Sequence, residues 1–274
     1  MVRRNRNVGP SPVDFGGWAE HYVSRPYGNF KFEVYPLFVD ILAAMPDGIR
    51  VLDIGAGPGH LAFEFFKAHP RSATQFVLLD SSVELLGIAE SRLAPHAEKI
   101  RTRHGAFDQA DWDAGLGKFD AIVSNNVPFP VESRALLKLY KTCFARLKKS
   151  GVFLFQEPCS YSGETNPYSG NPLSDFLAAL PAHLLPSLPT MSAREKKKLH
   201  VEKREALARH KEAIAEARAA GVQFPARTDW RFVTVATHIR ALEKAGFCAG
   251  CIWKKRGSAV LLGVKGRPRM RTTP

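Results

Sequence analysis

Asp53, Gly55, Gly57 and Gly59 stand at alternate positions where the apolar run Val51-Leu52-Asp53-Ile54 breaks off, a spacing suited to holding a nucleotide-bearing cofactor against bare backbone. Glycine lets the chain turn sharply and come within contact distance of a ligand that any Cβ would exclude. A second apolar run, Phe76-Val77-Leu78-Leu79, ends in Asp80. That carboxylate lies about 20 residues past the last glycine, where a ribose diol is expected and one acid can accept both hydroxyls. The dinucleotide fingerprint G-x-G-x-x-G is broken, because its sixth position is His60 and the glycine comes one place early at Gly59. The spacing favours another nucleotide ligand.

These residues need elements to hold them. Val51–Ile54 and Phe76–Asp80 read as buried strands, and His60–His69, with Leu61, Ala62, Phe63, Phe65 and Phe66, reads as a helix whose first N–H groups point back at the glycine turn. Ile100–Phe107, Phe119–Asn126 and Val152–Phe155 continue the strand series, with Lys148-Lys149-Ser150-Gly151 as a turn before the last. Val83–Leu93 and Leu136–Leu147 carry apolar residues at intervals of three and four and read as crossover helices. Strands alternating with such helices imply parallel pairing and right-handed connections, so Gly55–Gly59, Asp80, Phe107 and Asn125 gather at one edge of the sheet. Ahead of the first strand, Trp18, Tyr22 and Tyr27 lead into a helical stripe from Val34 to Met45, in which Pro36 is tolerable if it falls in the first turn.

Taken in order, the pieces resemble the class I S-adenosylmethionine-dependent methyltransferases, whose first motif reads hydrophobic-x-(Asp/Glu)-x-Gly-x-Gly-x-Gly. The resemblance covers most of the chain and implies an α/β, Rossmann-like, doubly wound and mostly parallel seven-stranded sheet with a terminal antiparallel strand pair. It implies S-adenosyl-L-methionine as cofactor, contacted by Asp53, Gly55, Ala56, Gly57, Gly59, Asp80, Ser81, Ala106, Phe107 and Asn125. Ala106 stands where many members carry an acid for the adenine amino group, and Asp108 can replace it. Thr237–Phe247, Ile252-Trp253 and Ala259–Lys265 are similar to the family's last helix and final strand pair. Trp18 and Tyr22 are candidates for closing over the site, as are Asn126 and Glu157 for meeting the acceptor, and His60 lies close enough to the cleft to be weighed as a base. The spacing points to no metal.

The expected organisation is an amino-terminal lid segment and helix over 1–48, a cofactor-binding core over 49–158 and 229–266, a helical insertion over 159–228, and a basic tail over 267–274. The insertion opens with a Gly/Pro/Ser/Asn-rich stretch. It continues into a charged helix whose start, Ser192-Ala193-Arg194-Glu195, has the form of a capping box. Additions at this point usually shape the acceptor pocket in the resembled family.

Net charge is +13, with basic residues concentrated at both tails, in Lys254-Lys255-Arg256 and from Arg194 to Arg218. The last stretch also holds Glu195, Glu202, Glu205, Glu212 and Glu216, so much of its charge can pair along a helix. Met1–Phe15 carries Arg3, Arg4 and Arg6 with no apolar stretch after them, which predicts no secretory signal; no run has the length of a membrane span. Four scattered cysteines, Cys143, Cys159, Cys248 and Cys251, fit a reducing, cytoplasmic setting, and Cys248-Ala249-Gly250-Cys251 lacks the second pair a zinc ribbon needs.

Three functions follow. The first is methyl transfer to a small molecule. The second is modification of ribosomal or transfer RNA: Asn126-Val127-Pro128-Phe129 is similar to the Asn-(Leu/Ile)-Pro-(Tyr/Phe) motif of ribosomal RNA adenine dimethyltransferases, and the carboxyl end has a likeness to transfer-RNA wobble-uridine carboxy-S-adenosylmethionine synthases. The third is a non-enzymatic, methyltransferase-like binding module presenting the helix from Ser192 to Ala220.

Overall fold

The computed structural model describes residues 30–109, 111–125, 127, 132–159, 233–255 and 258–266. The elements are α1 (Phe30–Ala44), β1 (Arg50–Ile54), α2 (His60–Ala68), β2 (Gln75–Asp80), α3 (Val83–Arg92), a 3₁₀ segment (Ala94–Lys99), β3 (Ile100–His104), β4 (Phe119–Asn125), α4 (Ser133–Arg146), β5 (Leu147–Pro158), α5 (Val235–Ala245), β6 (Cys248–Lys255) and β7 (Ser258–Val264). They form one seven-stranded sheet in the order β3-β2-β1-β4-β5-β7-β6. β1 to β5 pair in parallel, and β7 runs antiparallel between β5 and β6. The expected doubly wound sheet with its terminal antiparallel pair is thus present.

Alternation divides the strands between two cores. Val51, Leu78, Val123, Leu154 and Leu262 pack with α1, α2 and α3 on one face. Leu52, Leu79, Ile122, Phe155 and Leu261 pack with α4 and α5 on the other. Both faces are covered, which is why these strands read as near-continuous apolar runs.

Two local features depart from the sequence reading, and a third bears on it. Pro36 is not in a first turn: α1 begins at Phe30, so Pro36 sits inside the helix, where its ring occupies an exposed position and removes one backbone donor. Lys148–Gly151 is not a separate turn but an irregularity within β5, where the pairing passes from Phe119↔Leu147 to Ala121↔Val152 and Ser150 takes a φ of 70°. Cys248 and Cys251 lie on β6 itself, neither in a disulfide, and no metal-binding cluster occurs among the described residues.

The helix ends follow the local signals. Ser82 caps α3 by accepting from the Leu85 N–H at 3.2 Å, and Thr234 caps α5 by accepting from the Thr237 N–H at 3.1 Å. Gly246 closes α5 at a φ of 105°.

Candidate functional site

Strand register aligns the polar strand ends in one row along the carboxyl edge. Asp80 pairs with His104 on β3, and Asn125 pairs with Gln156 on β5. Between them, Ile54 pairs with Leu79 and Ser124, so Gly55 continues β1 into the same row. The switch in strand order falls between β1 and β4, the place where an open α/β sheet leaves a crevice for a ligand.

The glycine turn is held tightly. Gly55, Gly57 and Gly59 all have positive φ, at 69°, 53° and 70°. A Cβ on Gly55 would lie 2.2 Å from Val127 Cγ2, so that position has neither the dihedral nor the room for a side chain. The Gly55 and Ala56 N–H groups both donate to the Leu79 carbonyl, at 2.7 and 3.1 Å. Asp80 then ties the turn to β2: its carboxylate accepts from the Gly57 N–H at 2.7 Å and from the Ser82 N–H at 2.9 Å. Arg92, at the end of α3, donates to the Pro58 carbonyl at 3.1 Å and to His60 Nδ1 at 2.8 Å. His60 therefore accepts a hydrogen bond that braces the start of α2, and its Nδ1 is occupied.

Electrostatics single out Asp53. It is almost wholly buried, makes no hydrogen bond with a described side chain, and has its pKa pushed up to about 8 by burial and then by the Asp80 charge. Burial also raises Asp80, against the opposing effect of the backbone N–H groups that it accepts from. Asp53 shares its face with Val51, two residues earlier, and pairs in register with Val123, which puts it beside β4 on the α1–α2 side.

Asn125 lies two residues beyond Val123, so it occupies the same face. Both of its side-chain amide atoms are buried, and no described residue bonds to them. Its register partner Gln156 donates through Nε2 to Ser258 Oγ, while its Oε1 is buried and unpartnered. A buried polar atom left without a partner costs about 1–3 kcal/mol, and three of them lie side by side here with no partner among the described residues.

Glu157 goes elsewhere. It lies two residues after Phe155 and so on the α4–α5 face, near enough to the Tyr140 hydroxyl to help burial raise that group well above its ordinary range. The structure thus brings together Asp53, Gly55, Ala56, Gly57, Gly59, Asp80 and Asn125, and takes Glu157 to the opposite side of the sheet. Ser81 is exposed beside Asp80, and its carbonyl accepts from His104 Nε2 at 3.1 Å. Ala106 and Phe107 are half-buried in the loop after β3, whose Gly105 N–H donates to the Asp80 carbonyl at 2.9 Å. Trp18, Tyr22 and Asn126 lie outside the described residues, as does the insertion from 160 to 232.

A family model described as "Methyltransferase domain" matches residues 27–248. The chain belongs to the methyltransferase domain family. Its β3-β2-β1-β4-β5-β7-β6 sheet and the Asp53–Gly59 turn are those of the class I S-adenosylmethionine-dependent methyltransferases. Among solved structures it is similar to a possible exported protein from Bordetella parapertussis, with TM-score 0.55, 16% identity, 97% of this chain covered and 76% of that one. It is likewise similar to an O-methyltransferase family 2 protein from Planctomyces limnophilus in complex with apigenin, with TM-score 0.55, 16% identity, and 93% of this chain and 63% of that one covered. An O-methyltransferase family protein from Burkholderia thailandensis aligns with TM-score 0.51, 14% identity, and 96% and 66% covered. The chain thus spans just under two thirds of the length of both O-methyltransferase family proteins. No curated protein matches.

As a methyltransferase the protein uses S-adenosylmethionine, and its residues fit that group. Asp80 ends β2 where a sugar diol is expected, the Gly55–Gly59 turn stands beside it with its glycines at positive φ, and Asn125 holds two buried polar atoms without partners among the described residues. Gln156, Ser258 and Arg92 escaped the sequence reading. Gln156 carries the same signal that marked Asp80 and Asn125, a polar residue closing a buried apolar run, here Val152-Phe153-Leu154-Phe155. The nucleic-acid motif draws on Asn126, Pro128 and Phe129, which lie outside the described residues, and among the described residues no helix is long and apolar enough to cross a membrane.

Proposed function

We propose that this methyltransferase transfers a methyl group from S-adenosylmethionine to a small-molecule acceptor in the cytoplasm. The carrying observation is the row Asp80, Gly55, Asn125 at the switch point, with Asp53 behind it. Bound there, the cofactor supplies a methyl group on a sulfonium whose leaving sulfur takes back the bonding electrons, so the donor arrives already activated.

The chain's own work is placement. Asp80 accepts from the ribose hydroxyls while keeping the Gly57 N–H in position. Gly55, Ala56, Gly57 and Gly59 admit the cofactor against the backbone, Ser81, Ala106 and Phe107 line its adenine end, and Asn125 meets its amino-acid end. Asp53 is held mostly neutral at pH 7, and a cation beside it would favour its ionised form, so cofactor charge and carboxylate charge appear together. An in-line transfer then needs donor and acceptor aligned and water excluded; the acceptor's proton leaves to solvent.

Trp18 and Tyr22 serve in this reading as closing aromatics, Asn126 as an acceptor contact, and the segment 159–228 as the lobe that shapes acceptor choice over a core of 49–158 and 229–266. The small-molecule acceptor is favoured by the enclosed, uncharged character of Asn125 and Gln156, and the reducing setting by four cysteines, none of which forms a disulfide.

The test is a thermal shift with S-adenosylmethionine and S-adenosylhomocysteine, each of which should raise Tm by mass action, by about 3 kcal/mol of stability at 100 times Kd. No shift at millimolar cofactor sinks the reading. An untargeted search for metabolites that gain a methyl group then names the acceptor.

A further inference from the structure

Gln156 is more constrained than its neighbours in the row. It is 2% exposed, and its amide orientation is set from outside itself: Ser258 directs its hydroxyl proton at the Glu157 carbonyl oxygen, 3.4 Å away, so its Oγ is left to accept from Gln156 Nε2. The carboxamide is thereby turned with its oxygen free. Oε1 can only accept, and it is buried with no partner among the described residues. Asn125 stands opposite in register, yet the two amides do not bond to each other, so the Asn125 amide and Gln156 Oε1 both stay unanswered among the described residues.

Position decides which ligand meets Oε1. Strands in a sheet lie about 4.8 Å apart, which puts β5 about 10 Å from β1 on the side away from Asp80. The sugar end belongs to β2 and β1 and the switch crevice to β1 and β4, so Gln156 lies beyond the donor, where the acceptor must come. We propose that Gln156 selects the methyl acceptor: its Oε1 accepts a hydrogen bond from an O–H or N–H of a small protic substrate, with Asn125 between that substrate and the cofactor. Hydroxyl- and amine-bearing molecules satisfy this oxygen. Ethers, including an O-methylated product, leave it unpaired and are disfavoured, which also assists product release. The inference rests on the methyltransferase reading of the site.

The test uses the full chain saturated with S-adenosylhomocysteine and follows ligand binding by saturation-transfer NMR. Phenol and aniline are the donor-bearing probes, and anisole is the matched probe without a donor. Phenol and aniline are expected to bind the wild type at least ~10-fold more tightly than anisole. Gln156→Leu should erase that preference while leaving S-adenosylhomocysteine affinity, read by calorimetry, within about twofold. A wild type that does not distinguish phenol from anisole overturns the proposal, and so does a preference that survives in Gln156→Leu. Should Gln156→Leu fail to fold, Ser258→Ala carries the test, since it frees the amide to turn its NH₂ outward and should narrow the gap between the two probes. An unchanged gap counts against the proposal. Failure of the wild type to bind S-adenosylhomocysteine at all is the distinct result that removes the cofactor reading together with this one.

Discussion

The α1–α2 face of the sheet edge and the α4–α5 face behind it each bury a titratable side chain, and they treat it differently. On the first, Asp53 sits without a hydrogen-bond partner among the described residues and beside a second carboxylate, its pKa lifted to about 8. On the second, His238 is buried and lowered to about 4, but its Nδ1 shares a hydrogen bond with the Tyr140 hydroxyl at 2.6 Å, inside a cluster of Phe153, Phe155 and Phe247. Burial neutralises both groups. The Tyr140–His238 contact answers one ring nitrogen within the core, while His238 Nε2 is buried with no partner among the described residues. What sets the first face apart is that Asp53, Asn125 and Gln156 Oε1 gather at the carboxyl edge of the sheet without partners among the described residues, a pattern that suits a binding site.

The comparison can be broken most directly at the glycine turn. Gly55→Ala forces a side chain into a left-handed backbone and against Val127, and should cost at least ~2 kcal/mol of stability and abolish S-adenosylhomocysteine binding, as read by melting and calorimetry. A variant that binds normally would show that the turn does not hold the cofactor.

Asp80→Ala should leave the protein folded but weaken the cofactor by about 10- to 100-fold, the worth of one or two charge-assisted hydrogen bonds. Unchanged affinity would remove Asp80 from the site.

Asp53 sharpens the contrast through pH. Its folded pKa is raised, so between about 4 and about 8 the folded chain binds a proton that the unfolded chain does not, and stability falls as pH rises across that window. Asp53→Asn should remove this slope and raise the cofactor-free Tm at pH 8 relative to wild type, while cofactor affinity drops. Melting curves at several pH values decide it, and a slope unchanged in the variant assigns the titration to another group.

The smallest effect is expected behind the sheet. Tyr140→Phe removes one buried hydrogen bond and should cost about 1 kcal/mol, with cofactor affinity unaltered. His238 has a lowered folded pKa, so its stabilising effect holds above about 6.5 and is lost as pH falls through about 4, the opposite sense to Asp53. Loss of cofactor binding in Tyr140→Phe would mean that the two faces are coupled.

Much of the site was legible before any coordinates because it is local. Asp53, the three glycines and the start of α2 lie within one strand–turn–helix unit, and backbone sterics alone demand glycine at a positive φ. Asp80 was legible because it ends an apolar run at a fixed distance along the chain. Gln156 was passed over although it ends such a run, since its meaning depends on Ser258, 102 residues away, and on Asn125 across the ladder. Glu157, next to it, was taken as an acceptor contact because a strand end was read without its face; one residue of alternation sends it to the other core. Pro36 falls inside its helix because α1 begins earlier than the apolar stripe shows.

Period and punctuation in the sequence determined the α/β class, the strand–helix alternation, the glycine turn and the acid that answers it, because each is set by dihedral preference and burial within a few residues. Tertiary structure alone decided which polar strand ends share a row and a face, and which buried polar atoms find partners. Those outcomes depend on register between segments far apart in the chain, where a shift of one residue reverses every side chain.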